Sequence, residues 1–402
     1  MPDPLADLAA PDASQRLRAL AALRERHTRP EPRGTNTHVH TNYSFSAFRS
    51  PAEAAWLAWR EGVEIFGIND HYTVDGHEEF ARACAALDLP ATFSIEAVAM
   101  DRAAAAAGTL LNDPGNPGRT YLCGKGVTAR DDPRASERLR ELRAQQETRN
   151  RAMVAACDAR FVERLDDTGP TWDDIVAQTP AGNTTERHIA RACVERCRAI
   201  ATTGKRSFGA VFADLTDTEA PDDDAAAQNQ LRSALLKAGK PCYVDEDPAA
   251  YPSIAGMCAL YRDLGAIPTY PVLGNPVTDG ERDIAALCDR LGAQGIFALE
   301  LIPSRNTDDR VAAVLAEAER RDWPVFDGTE HNTPAMSELL PPLSRDPRFR
   351  PVFRAGALLL LGHQALCAAG EPGYLDADGQ PRSEGRSQCI AAGERVLAGT
   401  TG

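Results

Sequence analysis

Two histidines, His38 and His40, stand two residues apart in the β-prone stretch "THVHTNY" of a 402-residue chain that holds only eight histidines. Side chains two apart on a strand point the same way, so both imidazoles can approach one metal ion. An HxH pair alone is weak, because exposed strand histidines look the same. Three more polar stretches sharpen it. Asp70 and His71 end the apolar run "VEIFGIND"; Glu96 lies inside the apolar run "TFSIEAV"; Glu330 and His331 follow "PVFDG". An unpaired carboxylate buried in a strand is costly. Several of them gathered with histidines at strand ends are most economically explained by a cation. In α/β sheets and barrels, the C-terminal strand edge is where sites form.

Other residues could serve a site of this kind. Lys125 in "CGKG" sits between glycines that permit a tight turn with exposed amides, which suits an anion, although an ordinary turn with a solvated lysine would read the same. Arg305 in "LIPSRN" follows a strand, where a guanidinium would be useful for an anionic group. Arg119 stands beside the Pro/Gly loop "NDPGNPG", and the acids Asp245, Glu246 and Asp247 read as a solvated loop outside the site. His77 reads as a helix-start residue, and His188 and His363, the latter at a late strand end, take no assignment. Cys193 and Cys197 are four apart in "RACVERC" with no further ligand nearby, so they read as two residues sharing a helix face.

The elements that must position these groups alternate. "THVHTNY" reads as a strand, "SPAEAAWLAWREG" as a helix capped by Ser50 with Pro51 at its first position, "VEIFGIND" as a strand, "HEEFARACAAL" as a helix and "ATFSIEAVAM" as a strand. This rhythm marks βα units around a parallel sheet or barrel. It stops near Val127, gives way to a polar helical stretch, and resumes from "AAYPSIAGMCALYRDLG" through "AIPTYPVL", "IFALELIPS", "PVFDGTEHN" and "GALLLLGHQ". The reading divides the chain into an N-terminal helix and linker (1–30), a first barrel part (31–127), an inserted helical subdomain (128–240) and a second barrel part with a C-terminal tail (241–402). The insertion is placed to cover the mouth as a lid or to form a subunit interface.

Composition limits the function classes. The net charge is −14, which argues against a nucleic-acid partner but not against a small anionic substrate. The N-terminus lacks the apolar core of a signal peptide. The stretch "AGALLLLGHQALCAAG" reads as too short and interrupted to span a bilayer. A cytoplasmic protein with a small-molecule substrate, no nucleic acid and no membrane partner is expected. The ten cysteines are expected to be free thiols. Oligomeric state is left open.

The chain resembles the polymerase and histidinol phosphatase (PHP) family. "HVHTNYS" and "GINDHYTVDGHEEF" resemble its opening HxHT and TDH motifs, "FSIEAV" its GIE-type strand, "TYLCGKG" its HLLG-type strand, "IPTYPVLGNP" its AHP-type strand and "VFDGTEHN" its closing GSDxH motif. The resemblance implies a distorted (β/α)7 barrel with up to three divalent metals at its mouth and phosphoester hydrolysis as its usual activity. It places His38, His40, Glu96 and Glu330 on one metal and His71 on a neighbouring one. The departures are specific. Tyr121 and Tyr270 stand where the family has histidines, Asn332 aligns with the closing histidine, Glu330 with the aspartate, and Ser46 or a neighbour with a further histidine. His331 falls between two matched positions, either as a ligand or as an orienting or substrate contact.

One intact site with an open position suits Zn²⁺, Mn²⁺ or Fe²⁺, one ion per chain. The leading expectation is a PHP-type hydrolase acting on a small anionic substrate through metal-activated water. Lys125, Arg305 and Asn332 would hold substrate, and Tyr121, Tyr270, His331 and Lys125 would manage protons or fill the space of lost ligands. The alternatives are a mononuclear metal-dependent lyase or isomerase on a sugar-like or hydroxy-carbonyl substrate, and a non-catalytic binding module.

Overall fold

A computed structural model describes residues 5–400 other than 205 and 275. Seven strands form one sheet in chain order: β1 (Gly34–Val39), β2 (Val63–His71), β3 (Ala91–Met100), β4 (Arg119–Lys125), β5 (Ile267–Val272), β6 (Leu299–Leu301) and β7 (Val325–Asp327). The first helix after β1, Pro51–Glu61, starts as its residues dictate. Ser50 accepts from the Glu53 amide at 3.1 Å, Pro51 fills the first helical position, and Gly62 closes the helix at φ +77°. The helix His77–Ala86 follows β2. Both helices cover the outer sides of β1 and β2 through a core that includes Val39, Phe66, Ile68, Trp56 and Phe80.

The sheet is not wholly parallel. β4 runs antiparallel to both β3 and β5, while the other neighbouring pairs are parallel. The connection from β3 to β4 holds the short helix Arg102–Ala106. Beyond β7 the chain returns beside β1. The amides of Thr329 and Glu330 donate to the His38 carbonyl at 3.1 and 2.9 Å, and the His40 amide donates to the Glu330 carbonyl at 2.7 Å. A parallel bridge joins Val39 to Glu330. Gly328 makes this approach possible, because a Cβ there would lie 2.2 Å from the His38 Cβ.

"GALLLLGHQ" is not a strand. It lies inside the helix Arg350–Ala368, and His363 is a helix residue. A short apolar run cannot be told from a buried helix by periodicity, and Pro351 at the helix start is the local signal that separates them. The helix is longer than the apolar stretch alone. By length and composition it could cross a bilayer, yet half of its most apolar window is buried in protein. It packs on the helix Gly385–Thr400 so closely that a Cβ at Gly362 would lie 1.7 Å from the Cys389 carbonyl oxygen.

Between β4 and β5 the chain is helical, including Pro133–Leu165, Glu186–Thr203 and Phe208–Thr216. These pack a core of their own around Met153, Phe161, Ile189, Phe212 and Leu231. Cys193 and Cys197 share a buried face there, and all ten cysteines are free.

Candidate functional site

The end of β1 brings two imidazole nitrogens face to face: His38 Nε2 and His40 Nε2 are 3.1 Å apart, and both rings are fully buried. Their other nitrogens fix the tautomers. His38 Nδ1 lies 2.8 Å from Glu300 Oε2, an acceptor when ionised. His40 Nδ1 lies 3.3 Å from Ser44 Oγ, whose own proton goes to Asp70 Oδ1 at 2.6 Å. Each imidazole therefore donates from Nδ1 and keeps a lone pair on Nε2, the pattern that orients histidine ligands; the Asn69 side-chain amide donates to that of His38 at 2.8 Å.

β3 supplies the third donor. Glu96 Oε2 lies 3.1 Å from His71 Nδ1, 3.4 Å from His40 Nε2 and 4.0 Å from His38 Nε2. The parallel pairing of His71 with Glu96 across β2 and β3 sets this level. Burial, then Glu330 and Glu300, push the Glu96 carboxyl well above the usual range. Burial, then His71 and His38, hold His40 well below its ordinary value, and burial with His38 and Arg187 holds His71 at about 3. Asp70 is not in this group. It accepts from the Thr41 amide, the Thr41 hydroxyl and Ser44, and burial still raises it to about 6.

The antiparallel direction of β4 reorders what "TYLCGKG" contributes. Tyr121 pairs with Val98 toward the mouth, Cys123 pairs with Glu96 at the donor level, and Lys125 pairs with Ser94 below it. Lys125 is therefore no loop lysine waiting for an anion. It is fully buried, bonded to the Thr37 carbonyl at 3.2 Å and ion-paired with Glu300 Oε1. Glu300 also accepts the Cys123 thiol at 3.4 Å. Burial pushes Glu300 up, but His38 and Lys125 outweigh it and hold the carboxyl at about 2. The sequence reading missed both Glu300 and Cys123. The signal for Glu300 was the one that picked out Glu96: a carboxylate inside an apolar run.

Farther out, Glu330 and His331 both adopt positive φ, +64° and +57°, which bends the chain sharply away from β7. Glu330 Oε2 meets Arg305 at 2.5 Å and accepts from Asn332 Nδ2 at 3.4 Å. His331 is turned outward. Its nitrogens engage Thr329 Oγ1 at 2.8 Å and the Ser337 carbonyl at 3.0 Å, and its ring stacks on Phe48. Ser46 donates to the His331 carbonyl, so Ser44 is the serine next to His40.

The two tyrosines part company. The Tyr121 ring is 6.3 Å from His71 with the Arg119 guanidinium 5.8 Å from its centre. Burial raises its phenol, against Arg119. Tyr270 faces away, correcting the expectation that both point inward. Thr269, not Tyr270, is the β5 partner of Cys123, and Tyr270 is buried in the outer core with its hydroxyl donating to Glu281 at 3.1 Å. Glu246, read as solvated, is instead ion-paired with Arg119 at 2.9 Å.

The donor set fits a divalent cation. His38, His40 and Glu96 offer three atoms within 4.8 Å of one another, all buried. Ligands about 2.0–2.1 Å from one tetrahedral ion lie roughly 3.4 Å apart. The observed 3.1, 3.4 and 4.0 Å bracket that spacing. No arginine or lysine forms an ion pair with Glu96 among the described residues. A second trio, His38, Cys123 and Glu300, meets the same proximity test, but Lys125 already neutralises its carboxylate.

No family model and no curated protein matches the chain. Solved structures do. A chain from Bifidobacterium adolescentis, assigned provisionally as a metal-dependent phosphoesterase, aligns with a TM-score of 0.53 at 22% identity, covering 81% of this chain and 96% of its own. An amidohydrolase from Chromobacterium violaceum, whose structure holds sulfate and no metal, aligns with a TM-score of 0.52 at 18% identity, covering 79% and 95%. At these identities the likeness is one of fold.

Proposed function

We propose that this chain is a divalent-metal-dependent hydrolase of small anionic substrates, phosphoesters foremost, built on a PHP-type (β/α)7 barrel with a helical insertion. The observation that carries this reading is the convergence of His38 Nε2, His40 Nε2 and Glu96 Oε2, buried and oriented by Glu300 and Ser44. These three residues would hold one Zn²⁺, Mn²⁺ or Fe²⁺, with Glu330 as a further donor if it exchanges Arg305 for the ion. When bound, the ion would supply Lewis acidity and a water acidified toward neutral pH. His71 holds the same Glu96 oxygen from the open side. Tyr121, kept protonated by burial, is suited to donate a proton rather than accept one. Arg305 stands at the mouth for the anionic group.

Protein purified without chelators or metal-binding tags should carry about one transition metal per chain. His38→Ala and Glu96→Gln should each empty the site and abolish metal-dependent phosphoester turnover. Normal turnover in both variants would falsify the assignment. An inert phosphoester panel, with metal-dependent conversion of hydroxy-carbonyl compounds, would replace hydrolysis by a lyase or isomerase reaction.

A further inference from the structure

We infer that Arg187, on the helical insertion, receives the anionic part of the substrate, so that the insertion sets ligand choice while the sheet holds the metal. This rests on the hydrolase reading for the place of the reacting centre. The insertion is pinned to the rim on both sides of Arg187. Asn183 Nδ2 donates to the His71 carbonyl at 2.7 Å and to the Tyr43 carbonyl at 3.1 Å. His188 meets Phe45 edge-on, with ring centres 5.0 Å apart. Tyr43 and Phe45 follow His40, and His71 ends β2, so Arg187 is held above the candidate donors in the first turn of the helix Glu186–Thr203.

Its charge lacks a counterpart. Arg119 is paired with Asp113 and Glu246, and Arg305 with Glu330. Glu186, the acid next to Arg187, is taken by Arg232 and Lys237. Among the described residues Arg187 forms no ion pair, and its one hydrogen bond goes to the neutral Asn229 Oδ1 at 3.1 Å. It is half-buried, and that burial brings its guanidinium down to about 10. The charges it feels include Glu330 and Arg305, and it in turn acts on His40 and His71. A half-buried guanidinium that no carboxylate contacts directly is poorly compensated in the free protein. Glu186 and Glu330 act on it through space, but among the described residues neither makes an ion pair with it. The planar fork matches two oxygens of a phosphoryl group, and the N-terminal end of its helix adds to the same field.

Inorganic phosphate is the probe, titrated calorimetrically into the full chain with and without divalent metal. Arg187→Met should weaken phosphate on the order of tenfold or more, and raise KM for an aryl phosphomonoester by a similar factor, because a charge-assisted bidentate contact is lost. Metal content should not change, and Tm should hold or rise because an uncompensated charge has gone. Arg187→Lys, charge without the fork, should fall between, and it decides the matter if the methionine variant does not fold. Arg191→Met, on an exposed position of the same helix, should bind phosphate like the parent. Phosphate affinity indifferent to Arg187, no phosphate binding by the parent, or a lower Tm with unchanged affinity would overturn the inference. If phosphate binding depends on Arg187 while the chain holds no metal and hydrolyses nothing, the hydrolase reading falls and this one stands. Intact metal and turnover with Arg187 irrelevant to phosphate is the reverse.

Discussion

Two tiers of buried polar groups lie one above the other along β4, and they solve the problem of buried charge in opposite ways. At the level of Cys123, three imidazoles surround one oxygen of Glu96 and no cationic side chain joins them. One pleat pair lower, Glu300 is matched by Lys125, and both are fully sealed from solvent. The lower tier carries its own cation; the upper tier lacks one. His38 belongs to both, with Nδ1 on Glu300 and Nε2 among the donors above. The difference teaches that burial alone does not mark a metal site. What marks it is a group of acceptors that no cationic side chain joins, the Asn69 amide at 2.8 Å from His38 Nε2 being neutral.

The largest expected effect attacks the link between the tiers. Glu300→Gln strands the Lys125 ammonium and removes the anchor of His38. Breaking one partner of a buried pair costs about 3–5 kcal/mol, and loss of a ligand-orienting carboxylate weakens metal binding roughly 10–100-fold. The double variant Lys125→Met with Glu300→Gln should recover much of the stability and none of the metal affinity. Urea denaturation and metal competition read the two separately. Full metal affinity in Glu300→Gln would show that the lower tier does not orient the upper one.

A smaller effect is written in pH. Asp327, which accepts from Thr35 at 2.8 Å, is raised by burial to about 7 despite that bond. The unfolded value is about 3.9. Between these limits the unfolded chain loses its proton first, so folding stability should fall as pH rises from about 4 to about 7 and level off above, by up to roughly 4 kcal/mol. Asp70, raised to about 6, adds to the same decline. Glu300 has the opposite sign. Held at about 2, it contributes stability above about 4.3 that is lost as pH falls toward 2. Asp327→Asn should flatten the decline between about 4 and 7. A denaturation series whose slope is the same in both proteins would remove Asp327 from the account.

How much of this was legible in the sequence follows from what each signal measures. Period-two alternation and strand ends exposed His38, His40, His71 and Glu96, and capping chemistry placed Pro51–Glu61. β3 was read to the residue, because "ATFSIEAVAM" is bounded by Pro90 and Asp101. Strand direction left no local trace. Lys125 was therefore read at the mouth, although the antiparallel β4 carries it below Glu96. Tyr270 was read inward by alignment alone, and the β5 register gives that face to Thr269. Asn183 could not be found from the strand-forming segments at all, since its contacts depend on where the insertion docks.

The smallest prediction separates the two tyrosines by what each hydroxyl touches. Tyr270 donates to Glu281, which also carries the Thr278 cap, so Tyr270→Phe leaves a buried carboxylate short of one donor. The expected cost is about 1 kcal/mol of stability, with kcat and metal content unchanged, because its hydroxyl partner, Glu281, is not one of the His38–His40–Glu96 donors. Tyr121→Phe should do the reverse: its ring neighbours His71 and Arg119, and among the described residues its hydroxyl makes no hydrogen bond that removal would break. Stability should therefore hold while turnover drops, most at the alkaline side, where a proton donor is scarcest. Equal turnover losses in both variants would mean that β5 shifts its register when substrate binds. Equal stability losses, with turnover intact in both, would assign the two phenols alike to packing and leave proton donation to a group other than Tyr121.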